Sequence, residues 1–378
     1  MTLSHCFKVR NLILSTFLIS FLGLGTNASA QVDFFFIDLN SRTATSLDYF
    51  IFPEDINDAG QVVGEFETAE GTDHAFITGP DGMGMRSLGT LGGHWSGAAG
   101  INDVGQIAGT STTAEGYQYA FITGPDGMEM RSVGTLGGRW IRAAGINDVG
   151  QIAGISTTAE GYQHAFITGP DGMGMRSLGT LGVHGAIEGI NNAGQVAGTS
   201  ITAEGYQHAF ITGADGMGMR DLGTLGGDYS YAWGINDAGQ VVGESSTASG
   251  EGHAFITGPD GMGMRNLDSL VDNYDGSRAL GINDAGQVVG AAYLPSGHSR
   301  AFITGPNGEG MTDLNSLVDL WEWTRMVLVD ARHINNNGQV IALGVLAVPE
   351  PKTYALMLAG LGLIGFIGWR KKAMSADI

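Results

Sequence analysis

Four histidines stand at one place in a recurring AFITG pattern: His74, His164, His208 and His253. Metal ligation needs donors converging to about 2 Å from a single ion, and one histidine per repeat at equivalent positions does not converge. Tyr119 and Arg300 take the same place in other copies. These histidines therefore read as strand-surface residues. Asn57-Asp58 and their copies in N-D-x-G-Q offer adjacent oxygen donors, but no alternating D-x-D-x-D-G ladder or later glutamate follows. Turn chemistry accounts for both residues, so no cofactor or metal is expected, calcium being the one ion left open. Met83 and Met85 with their copies read as loose apolar covering of a turn rather than soft-metal ligands. GTLGG lacks the Lys-Ser/Thr of a phosphate loop, and nothing resembles a nucleophile elbow.

Variation is concentrated in one segment. After GTLGG the copies read His94-Trp95-Ser96, then Arg139-Trp140-Ile141-Arg142, then Val183-His184-Gly185, then Asp228-Tyr229-Ser230-Tyr231-Ala232-Trp233. A shared scaffold carrying differing aromatic and charged loops is how binding faces are built. Trp95, Trp140, Arg142, Tyr229 and Tyr231 are the candidate ligand-binding residues, because exposed rings stack on sugars or anchor a partner. The plainer role for the same residues is filling gaps between repeats. Glu188 and Asp228 are the unusual acids of these segments, too few to make a catalytic pair persuasive, so no catalytic residue is named. The primary expectation is a non-enzymatic binding or scaffold protein. The alternative is a propeller enzyme, a glycan hydrolase or lyase using loop-face carboxylates.

What must position these residues is a repeat. The isoleucine of GINDxGQ stands at Ile56, Ile101, Ile146, Ile190, Ile235, Ile282 and Ile334, and the phenylalanine of AFITG at Phe76, Phe121, Phe166, Phe210, Phe255 and Phe302, a period of about 45 residues. In the second unit four short strands are expected, AAGIN (98–102), QIAGTS (106–111), YAFITG (119–124) and MRSVGTL (130–136). N-D-V-G, T-A-E-G and P-D-G connect them, each ending in the residue that enters the left-handed region cheaply. Each connection reads as a type I turn closed by a G1 bulge. The strands are apolar on both faces, which suits sheets covered on both sides by neighbours. Four-stranded meanders repeated about seven times describe an all-β, seven-bladed β-propeller over residues 31–348, with the small first strand of each unit innermost. DFFFIDLN (33–40) resembles a fourth strand and is expected to complete a last blade begun by the C-terminal repeat.

The ends of the chain carry export features. Lys8 and Arg10, an apolar run from Leu12 to Leu24, and small residues at Ala28 and Ala30 mark residues 1–30 as a signal peptide cleaved after Ala30. Cys6, the single cysteine, would leave with it. At the other end Pro349-Glu350-Pro351 precede an apolar stretch, 354–369, read as a short transmembrane helix and followed by Arg370, Lys371 and Lys372. The whole chain has 18 Lys and Arg against 38 Asp and Glu. No lysine falls between residues 31 and 348. So acidic a body excludes nucleic acid and anionic membrane surface as partners.

Residues 349–378, with Pro-Glu-Pro, the hydrophobic segment and the basic tail in order, resemble a PEP-CTERM sorting signal. Such tails occur on exported proteins of Gram-negative bacteria that make extracellular polysaccharide. The resemblance implies an exosortase, a membrane protease, as partner, transient inner-membrane anchoring, then the cell surface or matrix, with polysaccharide as a possible associate. The AFITG and GINDxGQ patterns resemble the HAF-repeat family of extracellular proteins over nearly all of 50–345, which implies export and repetition without an activity.

Overall fold

The computed structural model describes residues 32–47, 51–180, 185–267, 276–320 and 326–346. The signal peptide with its cleavage site at Ala28 and Ala30, and the tail with Pro349, Glu350, Pro351 and the 354–369 span, lie outside the described residues. Among the described residues no helix is long and apolar enough to cross a membrane.

Seven four-stranded antiparallel sheets form the body. In blade II the strands are Gly92–Ile101, Ile107–Thr113, Gln118–Ile122 and Arg131–Gly134, paired in sequence order. The first strands of blades I to VII are Ile51–Ile56, Gly92–Ile101, Gly137–Ile146, Ala186–Ile190, Gly226–Ile235, Ser277–Ile282 and Met326–Ile334. Each touches the first strand of the next blade, and the last touches the first, so these strands surround the axis and the ring is closed.

Closure is made by the two ends of the chain. Blade VII joins Met326–Ile334 and Gln339–Leu346 to Val32–Asp38 and Thr43–Ser46. The expectation that 33–40 is a fourth strand is corrected: Val32–Asp38 pairs Gln339–Leu346 and is the third. Its Phe35 is fully buried, as are Phe76, Phe121, Phe166 and Phe302 of AFITG. Burying that ring between blades, rather than the likeness of its Leu-Asn to an outer strand, decides the position. Val32 pairs with Val345, so both ends of the described body lie on the same face as the blade crossings.

The cores lie between blades. Phe121 and Ile107 of blade II pack with Ala75 and Ile77 of blade I, and Phe166 of blade III with Ala120 and Ile122 of blade II. A fully buried phenylalanine stabilises by roughly 2–3 kcal/mol, and the same contact recurs around the ring. The second strand leaves room for it. A Cβ on Gly109 would lie 2.2 Å from the Gly97 carbonyl and 2.6 Å from the Phe121 ring. The glycine excess therefore serves packing as well as turns.

The N-D-x-G turns have the expected geometry: Gly60 has φ +76° and its amide donates to the Asn57 carbonyl at 2.9 Å. The equivalent P-D-G turns of blades II to VI depart from it. Asp126 has φ 56° and sits in the left-handed region together with Gly127, a conformation that aspartate tolerates better than most residues.

Candidate ligand-binding channel

On one face of the ring the repeat is stitched across blades. The Asn57 side-chain amide donates to the Asn102 carbonyl at 3.1 Å, and the same bond runs through Asn147, Asn191, Asn236, Asn283 and Asn335 back to Asn57 at 2.9 Å. A second circle lies beside it. The Asp58 amide donates to the Asp103 carboxylate, and the pattern closes when the Asn336 amide donates to Asp58. Asn192 and Asn336 interrupt the carboxylates, each donating to an aspartate on both sides. These residues hold the ring together. Turn chemistry alone accounts for only half of why Asn-Asp recurs.

The opposite face carries the crossings, and here they are strand rather than loop. In blades II, III and V the inner strand begins at Gly92, Gly137 and Gly226. Register shifts between Gly92 and Ser96, and between Gly226 and Ser230, let the chain turn inward while still paired. Ser96 fixes the bend: its hydroxyl donates to the Gly89 carbonyl at 2.6 Å and accepts from the Ala75 amide at 2.8 Å. The variable residues are thereby held on a rigid element.

Inside the ring is a cavity of about 510 Å³ walled by the inner strands of all seven blades. It runs from Trp95 and Trp140 down to Ile146, Ile190, Ile235, Ile282 and Ile334, immediately before the asparagine circle. Most inner strands keep glycine at the position before that isoleucine. Blades I and VII do not: they place Asp55 and His333 there. Ring closure makes these blades neighbours, and His333 Nδ1 lies 4.0 Å from Asp55 Oδ1. Asp55 accepts from the Ile56 amide at 2.8 Å and from the Ile101 amide of blade II at 3.0 Å. Each side chain keeps about a third of its surface open to the channel, 33% and 29%, yet the surrounding body removes most of their hydration. Burial pushes Asp55 up to about 7 against the opposing pull of its two backbone donors, with Asp103 and Glu54 adding repulsion. Burial also pushes His333 down to about 4, assisted by Arg332 and opposed by Asp330. Near pH 7 the histidine is neutral and the carboxyl is close to half protonated.

Blade V adds an aromatic ladder. Tyr229, Tyr231 and Trp233 stand at alternate positions of one strand, hence on one face. The tyrosine rings are 5.3 Å apart, and Tyr231 and Trp233 stack at 6.5 Å with 9° between planes. Tyr229 donates to Glu244 at 3.2 Å and Tyr231 to Gln207 at 2.7 Å. Burial, then Glu244, holds both phenols above their usual range, and burial raises the Glu244 carboxyl.

Residues 347–372 match the family described as the PEP-CTERM protein-sorting motif. The chain carries an export and sorting signal. It directs a protein of a Gram-negative bacterium out of the cytoplasm through a transient membrane-anchored stage, with processing by an exosortase. The search of curated proteins returned no match. Among solved structures the body is similar to the β-propeller domain of the Trilobed protease from Pyrococcus furiosus, at 12% identity and TM-score 0.52, covering 79% of this chain and 92% of that one. It is also similar to an oligogalacturonate lyase in complex with manganese, at 11% identity and TM-score 0.50, covering 79% and 89%. Such likenesses establish the propeller fold alone. The HAF-repeat resemblance rests on the quoted repeat residues.

Of the residues singled out by sequence, Trp95, Trp140, Arg142 and Glu188 line the channel. Tyr229 and Tyr231 form the ladder leading to Trp233, which does line it. Asp228 is exposed and is not part of the channel lining. His184 lies outside the described residues. His164 and His208 sit on third strands, bonded to Ser177 and Asp221 of the outer strand, so the repeat histidines do not meet. Asp55, Glu54, Glu65 and His333 are channel residues that the crossing segments did not reveal. For Asp55 and His333 the signal was the two imperfect copies of the GIN motif, whereas Glu54 and Glu65 fall just outside that motif.

Proposed function

We propose that this is an exported propeller that binds a sugar chain through the axial channel, entering from the crossing face. The observation that carries the reading is the wall itself: Trp95, Trp140 and Trp233 beside polar groups in one cavity. Flat apolar faces with a few fixed polar atoms suit a pyranose ring, which has an apolar face and a polar edge. The body serves as a binding or scaffold protein of the cell surface or matrix, and its ligand is extracellular polysaccharide. The last described strand ends at Leu346 on the crossing face, so the sorting tail leaves the body on the side of the channel mouth. Titration of the protein with oligosaccharides tests the reading. Saturable binding weakened by Trp140→Ala and by Trp233→Ala is expected, and binding unaffected by both substitutions would refute it.

One observation favours a second reading, a glycan-cleaving propeller. Asp55, pushed up to about 7, is able to donate a proton near neutrality, and other carboxylates line the same cavity. Release of shortened product, abolished by Asp55→Asn with binding retained, would select this reading. Binding without turnover selects the first.

A further inference from the structure

The channel walls carry a charge pattern that narrows the ligand, an inference that rests on the sugar-binding reading above. Glu54, Asp55, Glu65 and Glu188 line the cavity against one guanidinium, Arg142. His333 contributes no charge at neutral pH because burial lowers its pKa. These acids are not the ordinary solubility charges of an acidic protein. Glu54, Asp55 and Glu188 stand on first strands, nearest the axis, and Glu65 on the second strand of blade I. Glu54 and Glu188 take the register of Ala99, Ala144, Trp233, Leu280 and Arg332, and Glu65 that of Thr110 and Glu244. Blades I and IV place a carboxylate at the inner position where blades II and III have alanine, and Arg332, the cation at that position in blade VII, is paired with Asp330 at 3.6 Å.

Three sugar chemistries respond differently to such a wall. A uronate or sulfated sugar would enter a weakly solvated space among like charges. A neutral sugar would gain from the indoles and be indifferent to the acids. A sugar bearing a free amine would gain twice, because its ammonium is attracted by carboxylates at reduced dielectric and by the faces of tryptophan. We propose that the axial channel is a subsite for an amine-bearing sugar residue, its ring against Trp140 and Trp233 and its ammonium among Glu54, Glu65 and Glu188.

Isothermal titration of the full-length protein in detergent micelles tests this with three oligomers of equal length: glucosamine, N-acetylglucosamine and a uronate. At about pH 6 an amine of the α-amino class, with pKa near 7.7, is protonated. The glucosamine oligomer is expected to bind at least tenfold more tightly than the N-acetylated one, with a preference that shrinks as salt rises. Glu54→Gln and Glu188→Gln should each lower that ratio several-fold. Should either variant fold poorly by its melting curve, the salt dependence of the unsubstituted protein gives the same answer. Equal binding of the neutral and cationic oligomers, or preference for the uronate through Arg142, overturns the amine assignment and leaves the channel reading standing. Failure of all three oligomers to bind overturns the channel reading itself.

Discussion

The two faces of this ring are made from the same repeats and differ in what they keep constant. On the turn face every blade supplies the same asparagine, and its amide reaches the next blade's carbonyl all the way round. On the crossing face the equivalent strand positions hold Trp95, Trp140 and Tyr229, then Gly97, Arg142 and Tyr231, then Ala99, Ala144 and Trp233. Uniformity on one side fixes the spacing of the blades. With that spacing fixed, the other side is free to diverge residue by residue without loosening the body.

The largest effect belongs to the turn face. Asn147→Ala removes the bond to the Asn191 carbonyl at 3.1 Å and those with Gln151. Leaving buried backbone groups unpaired costs about 2–3 kcal/mol, read as a lower urea midpoint with oligosaccharide affinity unchanged. A crossing-face substitution should do the reverse. Trp233→Ala is expected to weaken sugar binding by roughly tenfold, about 1.4 kcal/mol, with a smaller change in the urea midpoint. If Trp233→Ala unfolds the protein as readily as Asn147→Ala does, the division of labour between faces is wrong.

The seam offers a subtler test, because Asp55 and His333 titrate in opposite senses. Asp55 is raised in the folded state, so taken alone its contribution is favourable at low pH and is lost as pH climbs from about 4 to about 7. His333 is lowered, so taken alone it destabilises at low pH and is relieved as pH climbs from about 4 to about 6.5. Across the shared window the pair binds one proton both folded and unfolded, on the carboxyl when folded and on the imidazole when unfolded. The slopes oppose and the unsubstituted protein should show a flat profile there. Asp55→Asn should unmask stability that rises with pH, and His333→Gln stability that falls. Each change is about 1–2 kcal/mol once screening by channel water is allowed for. Chemical denaturation at pH 4.5 and 6.5 measures it, and parallel profiles for the two variants would contradict the pairing. The smallest effect is expected at the outer rim of the crossing face. Tyr162 is 68% exposed, and Tyr162→Ala should change both stability and affinity by less than about 0.5 kcal/mol.

Much of this architecture could be read from the repeat. Periodic Ile and Phe gave the blade number, and Asn-Asp-x-Gly gave the first hairpin and its left-handed glycine. Three things could not be read in the same way. Val32–Asp38 looked like an outer strand because Leu39-Asn40 resembles Leu314-Asn315; its true place depends on Phe35 filling an inter-blade core, a contact with residues some 300 positions away. The crossings looked like loops because glycine-rich sequence seldom stays in a strand, but here the serine and threonine side chains replace the missing ladder bonds. Asp55 and His333 stand where most copies of the repeat have glycine, one in the first copy and one in the last. Only closure of the ring turns two imperfections into neighbours.

Amide hydrogen exchange with and without bound glucosamine oligomer tests the central claim most directly. The account predicts added protection along the inner strands of blades II, III and V, at 95–101, 140–146 and 229–235, and none at the Asn-Asp turns or the outer strands. Protection appearing instead at the turn face, or spread along the outer rim, would mean that the channel is not where this propeller holds its ligand.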